Sequence, residues 1–188
     1  EAFNAASRTM KLLQLANGAV YKQNDDGSDD TPWVEVHDAK LDALEDIIEE
    51  AAGMPVLVAY QFKSDLARLR KAFPRGRWLA DEDEFDQFLT GDYPVGFAHP
   101  KSLGHGVDGL QDVTNIIAFF GHWWDLELRQ QIIERIGPVR QAQAGYDRPV
   151  FIYDIVAADT VDEQVIERHE TKREVQDLLL EAMKRRAK

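Results

Sequence analysis

Four short apolar stretches constrain the fold of this chain more than any other feature. Each is bounded by turn residues and separated from the next by amphipathic segments. The first is Val56-Leu57-Val58-Ala59-Tyr60, and the others cover residues 95–98, 115–120 and 149–156. A strand with one wet face alternates apolar and polar residues. Continuous apolarity marks a strand covered on both faces, as in a parallel sheet between helix layers. Residues 77–79 form a further short strand. The intervening segments read as helices. Residues 2–17 carry Met10, Leu12, Leu13 and Leu15 and stop at Asn17-Gly18. Residues 38–52 place Leu41, Leu44, Ile47 and Ile48 on one side, and Gly53 and Pro55 end them. Ser64 is positioned to cap a helix bearing Leu66, Leu69 and Phe73. Asp81-Glu82-Asp83-Glu84 opens another, with acids at the positive end of the helix dipole. Residues 126–136 are helical, and Thr160-Val161-Asp162-Glu163 has the form of a capping box at the head of a last helix. Strand and helix alternate nearly throughout, which predicts an α/β fold with a mainly parallel sheet.

Composition narrows the classes available. At 188 residues and 44% hydrophobic, the chain can bury one core, with room for an appendage. No apolar run approaches the ~18 residues of a membrane span, so no membrane partner is expected. The N-terminus lacks a starting Met, a basic n-region and an apolar h-region. It reads as an excised segment of a longer protein without a secretory signal. The absence of cysteine excludes disulfides and thiolate metal sites, which suits a cytoplasmic location. The net charge of −12 counts against a generic duplex-binding module, which shows a basic footprint. The cations are unevenly spread, with groups from Lys63 to Arg77 and from Lys184 to Lys188. The acidic loop 22–32 has the composition of a calcium loop but fails its register, since placing Gly27 at loop position six puts Lys22 where the first Asp belongs.

The segments after the strands carry the chemistry. Ligands of parallel sheets bind at the carboxyl ends of strands. Residues 99–111, His-Pro-Lys-Ser-Leu-Gly-His-Gly-Val-Asp-Gly-Leu-Gln, leave the strand 95–98 at that end. Their glycines permit close approach of a ligand to the backbone. No Walker A sequence exists anywhere in the chain, which argues against a self-sufficient P-loop ATPase. Gln131 and Arg135 lie one helical turn apart on a shared face, with Arg140 following. Paired arginines of this kind can neutralise charge during phosphoryl transfer. Trp123 and Trp124 read as core or interface residues. The five histidines show no ligand spacing, so no metal site is expected within the chain.

These elements, in this order, resemble the C-terminal RecA-like lobe of superfamily 2 DNA helicases and translocases, nearest to the Swi/Snf-type branch and its phage-borne relatives. The Gly-x-Gly-x-Asn/Asp-Leu loop is matched by residues 101–111, with Gly109 inserted. Trp123-Trp124-Asp125 matches Trp-Trp-Asn/Asp. Gln131, Arg135 and Gln141 match Gln-x3-Arg-x2-Arg-x-Gly-Gln. Residues 149–153 and 160–163 match the following strand and helix start. Upstream, His37-Asp38-Ala39-Lys40-Leu41 resembles a Ser-x-Lys-Leu helix opening, and residues 56–62 resemble the first strand. One departure stands out. By spacing, the second arginine of the motif falls on Pro138, so either Arg140 takes its place, re-aimed by the bend that a proline imposes, or Arg135 serves alone.

The resemblance implies a RecA-like three-layer sandwich with N- and C-terminal helices. Residues 1–35 would connect to an absent first lobe, 36–158 would form the domain, and 159–188 a helical extension. It implies ATP with Mg2+, the magnesium ligands coming from the first lobe of the same polypeptide. Arg135 and Arg140 are the expected catalytic arginines. Gly106, Asp108 and Gln131 are expected near the nucleotide, and Gln61, Lys63, Lys101 and Ser102 on the DNA backbone. Two alternatives stay open: an idle module docking a protein or nucleic acid, and a free-standing doubly wound nucleotide-binding enzyme.

Overall fold

The computed structural model describes residues 2–22, 32–103 and 108–186. In chain order the elements are α1 (Ala2–Ala16), β1 (Ala19–Tyr21), β2 (Trp33–Glu35), α2 (Ala39–Glu50), β3 (Val56–Ala59), α3 (Lys63–Ala72), β4 (Arg77–Trp78), α4 (Glu82–Leu89), β5 (Val95–Ala98), α5 (Leu110–Val113), β6 (Ile116–Phe119), α6 (Leu126–Ile136), α7 (Pro138–Gln143), β7 (Phe151–Asp154) and α8 (Val161–Arg186). Five strands form one sheet in the order β4-β5-β3-β6-β7, and every pair in it is parallel. The apolar stretches are its strands, and β3, β5 and β6 are buried at every residue.

Successive side chains of a strand point to opposite faces, and the two faces build two cores. Leu57, Ile117 and Phe119 pack with Phe88, Leu110, Ile132 and Ile136 under α4, α5 and α6. Val56, Val58, Phe97 and Phe120 pack with Leu44 and Leu69 under α2 and α3. The result is helix, sheet, helix in three layers. Gly96 in the middle of β5 has a packing reason: a Cβ there would lie 2.9 Å from the ring of Phe88 and 3.0 Å from Leu79. The strand β7 is different. It closes the sheet on one side, with Phe151 47% and Ile152 42% exposed. The N–H groups of Phe151 and Ile155 donate to Asn115 and Phe119 on the β6 side, so those of Ile152 and Asp154 point outward.

A third cluster joins the ends of the chain. Leu13 of α1, Phe62, and Val161 and Val165 of α8 pack together with Tyr21 and Trp124. The strands β1 and β2 pair antiparallel at the base of the acidic loop; residues 23–31 of that loop lie outside the described residues. Trp123 is core, 8% exposed, within the α6 layer. Two local expectations need correction. Ser64 does not cap α3. The helix begins at Lys63, Ser64 is buried within its first turn, and the Asp65 carboxylate takes the capping role, accepting from the N–H groups of Phe62 at 2.8 Å and Gln61 at 3.2 Å. At α8, Thr160 Oγ1 accepts from Asp162 N–H at 3.2 Å. The back-reaching arm comes from Asp162, whose Oδ2 accepts from Ala157 N–H at 3.1 Å, rather than from the Glu of a capping box.

Candidate functional site

The two arginines expected from sequence line one depression. It has a volume of about 270 Å³ and is walled by Gln131, Glu134, Arg135 and Arg140. Gln131, Glu134 and Arg135 are one face of α6, three and four residues apart. Arg140 belongs to α7, and Gly137-Pro138 brings it there. Gly137 ends α6 and opens α7, and Pro138 sits in the first turn of α7, where its missing N–H has no helical partner to lose. Gln141 then locks the corner. It is 1% exposed. Its Nε2 donates to Thr114 O at 2.9 Å and Ile136 O at 3.0 Å, while its Oε1 accepts from Arg148 Nε at 2.7 Å.

The loop after β5 reaches this depression. Arg135 Nη2 donates to Leu103 O at 3.2 Å, and Arg140 Nη1 meets Asp108 Oδ1 at 2.7 Å. Asp108 and Gln131 are thus brought beside the arginines. Gly106 lies outside the described residues. Both groups of the Arg140–Asp108 pair are solvated, with side chains 38% and 70% exposed, so the pair is a weak restraint.

The remaining expected residues share the carboxyl edge of β3 and β5. These strands run side by side with Ala59 opposite Ala98, so the turns that follow emerge at the same level. Lys63, Lys101 and Ser102 are exposed there. Gln61 is half-buried, and its Oε1 is turned inward without a hydrogen bond among the described residues. His99 organises this edge, a role missed in the sequence. Its ring lies 5.6 Å from that of Tyr60 and 6.1 Å from that of Trp123, and its Nδ1 accepts from Lys101 N–H at 3.2 Å. Burial, and then the Lys101 charge, lower its pKa, which preserves the neutral form needed for that acceptor.

Beneath the edge lies a buried polar network. Lys40 Nζ contacts Asp162 Oδ2 at 2.6 Å, Asn17 Oδ1 at 2.8 Å and Phe120 O at 3.0 Å. Asn17 Nδ2 continues to Asp65 Oδ2 at 2.9 Å. Burial pushes the Lys40 ammonium down despite the opposing pull of Asp162. Burial also raises Asp65 to about 6 against its hydrogen bonds. The Ser-x-Lys-Leu-like helix opening and the Thr-Val-Asp-Glu start of α8 therefore meet through Lys40 and Asp162. Among the described residues there is no group of three His, Cys, Asp or Glu that could hold a metal ion, and no helix is long and apolar enough to cross a membrane.

This five-stranded parallel sandwich has the α/β fold of helicase-type ATPase lobes of known structure. The C-terminal part of the Fun30 ATPase domain superposes with a TM-score of 0.57, 17% identity, and coverage of 69% of this chain and 44% of that one. The Sulfolobus solfataricus SWI2/SNF2 ATPase core domain superposes with a TM-score of 0.50, 19% identity, and coverage of 71% and 28%. At these identities the likeness is one of fold. No family model matches the chain. In sequence it is 58% identical over 187 residues to protein p41 of Acyrthosiphon pisum secondary endosymbiont phage 1, covering 99% of this chain but 39% of p41.

Proposed function

We propose that this chain is the second motor lobe of an ATP-dependent DNA helicase or translocase, working with an N-terminal RecA-like lobe of the same polypeptide. The observation that carries the reading is the convergence of Gln131, Arg135 and Arg140 on one depression in a fold shared with helicase-type ATPase lobes. In this reading Arg135 and Arg140 meet the terminal phosphate of ATP as the lobes close. They neutralise charge that grows as the phosphoryl group leaves. Asp108 holds Arg140 until then, and Gly106 lies at the same loop. Lys63, Lys101 and Ser102, with Gln61 behind them, face the DNA backbone, where contacts position without reading sequence. Lys101 and Ser102 precede Asp108 in the same segment after β5, so nucleic-acid contact and the arginine pair fall on one stretch of chain. The Mg2+ ligands belong to the partner lobe.

The test uses the polypeptide that joins this lobe to one carrying a Walker A segment. Arg135→Ala there lowers DNA-stimulated ATP hydrolysis by about 10³-fold or more while the far-UV spectrum is kept, and the 188-residue chain alone turns over no ATP. A variant hydrolysing at the parental rate removes Arg135 from the reaction.

A further inference from the structure

We propose that the open edge of β7 is a docking surface for an extended segment of a partner protein. The segment alternates apolar residues with Lys or Arg and joins the sheet as a sixth strand. Among the described residues the sheet ends at β7. The ladder to β6 uses the N–H groups of Phe151 and Ile155, so the N–H and C=O groups of Ile152 and Asp154 face away from the sheet. Edges are ordinarily blunted by a proline, a bulge or an unpaired charge. Here β7 pairs with β6 residue for residue from Phe151 to Asp154, and Pro149 precedes the strand. The Asp154 carboxylate is neutralised by Arg129, whose Nη2 donates to Oδ2 at 2.9 Å. Phe151 and Ile152 point to opposite faces, and both are exposed. An added strand therefore finds main-chain partners along the edge and an apolar contact on each face. Main-chain bonds of this kind supply affinity, and the flanking side chains supply selection.

The charge at this border selects a cation. Exposed Asp147 and Asp159 bracket the strand. Glu50 lies beside Tyr153. With Glu49 it ends α2, where the helix dipole is negative and disfavours a carboxylate. The arginines at this border are already paired. Arg129 holds Asp154, and Arg148 turns to Gln141 Oε1 and Gln111 O, each at 2.7 Å. A second copy would bring the same acids to the same border, and like charges on neighbouring strands destabilise their pairing. A strand carrying Lys or Arg meets opposite charge instead.

The experiment titrates the 188-residue chain into a fluorescein-labelled peptide, Lys-Val-Lys-Val-Lys-Val-Lys, and follows anisotropy. Two controls run beside it. One has two adjacent central amides N-methylated, which blocks either edge of the peptide. The other has Glu at every Lys. The first peptide binds, and both controls bind at least about tenfold more weakly. Hydrogen exchange at the Ile152 and Asp154 amides slows when the first peptide is added. Ile152→Pro removes an outward N–H without touching the β6 ladder and weakens the peptide. Glu50→Lys, on an exposed site, weakens the Lys peptide and strengthens the Glu peptide. No binding, equal binding of the N-methylated peptide, or unchanged exchange at residues 152 and 154 shows that no strand is added and overturns the proposal. A Glu peptide that binds as tightly as the Lys peptide overturns the cationic partner. A chain that sediments as a dimer at neutral pH, and as a monomer with Ile152→Pro, gives the edge to a second copy and overturns it as well. Binding to this chain but not to the longer polypeptide gives the edge to another segment of that polypeptide, and overturns a separate partner.

Discussion

Asp65 and His122 are displaced in opposite directions by the same buried surroundings. Burial lifts Asp65 from 3.8 to about 6. Between those values the folded chain holds a proton that the unfolded chain has released, so this group adds stability as the pH falls through 6. For His122, burial and then the nearby Lys40 charge lower the value from 6.5 to about 4. Its contribution is complete above 6.5 and is lost as the pH falls towards 4. The two trends oppose each other across the mildly acidic range. Asp65→Asn isolates one of them. Melting temperatures of variant and parent, measured from pH 5 to 8, will diverge in the variant's favour as the pH rises through 6, because only the parent then buries a carboxylate. A difference that stays constant across that range excludes titration of Asp65 there. At this scale the sequence singled out Arg135 and Arg140 from motif spacing, and the structure places both on one depression. The sequence did not name His99 or Asp65. Their roles come from Trp123, Tyr60 and Asn17, which are distant in sequence and adjacent only after folding.

The elements best announced by the sequence were those whose environment is uniform. The strands β3, β5 and β6 are covered on both faces, so apolarity alone marked them. The three-residue strands β1 and β2 carry too little pattern to be read. They form because Gly18 turns the chain directly under His37 and Arg68. That glycine has φ +92°, and a Cβ on it would lie 2.1 Å from His37 O. Gly18→Ala is therefore expected to cost about 2–3 kcal/mol, measured by urea unfolding. A loss within about 0.5 kcal/mol would show that the turn relaxes freely. The short helix α7 was hidden for another reason. Gly-Pro reads as a stop, and here it is both the end of one helix and the first turn of the next.

Across the whole molecule, the Lys40–Asp162 pair fastens α2 to α8, and through Asn17 and Phe120 it reaches the end of α1 and the exit of β6. Both side chains are almost fully buried, at 2% and 0% exposure. Removing one charge strands the other. Lys40→Met alone should destabilise by about 3–5 kcal/mol, whereas Lys40→Met with Asp162→Leu should recover most of that loss. Denaturant titration of the single and double variants decides it, and additive losses would show that the two residues are not coupled. The same scale exposes a consequence of the outer strand β7. Its outward amides and its bare Phe151 and Ile152 form an open border of the sheet, and an open border is a template for another strand. At neutral pH, copies carrying a net charge of −12 hold one another apart. Near the isoelectric point of about 4.8 that repulsion vanishes. In colloidal terms, the acidity that argued against a duplex-binding surface opposes pairing between copies at this unsealed rim.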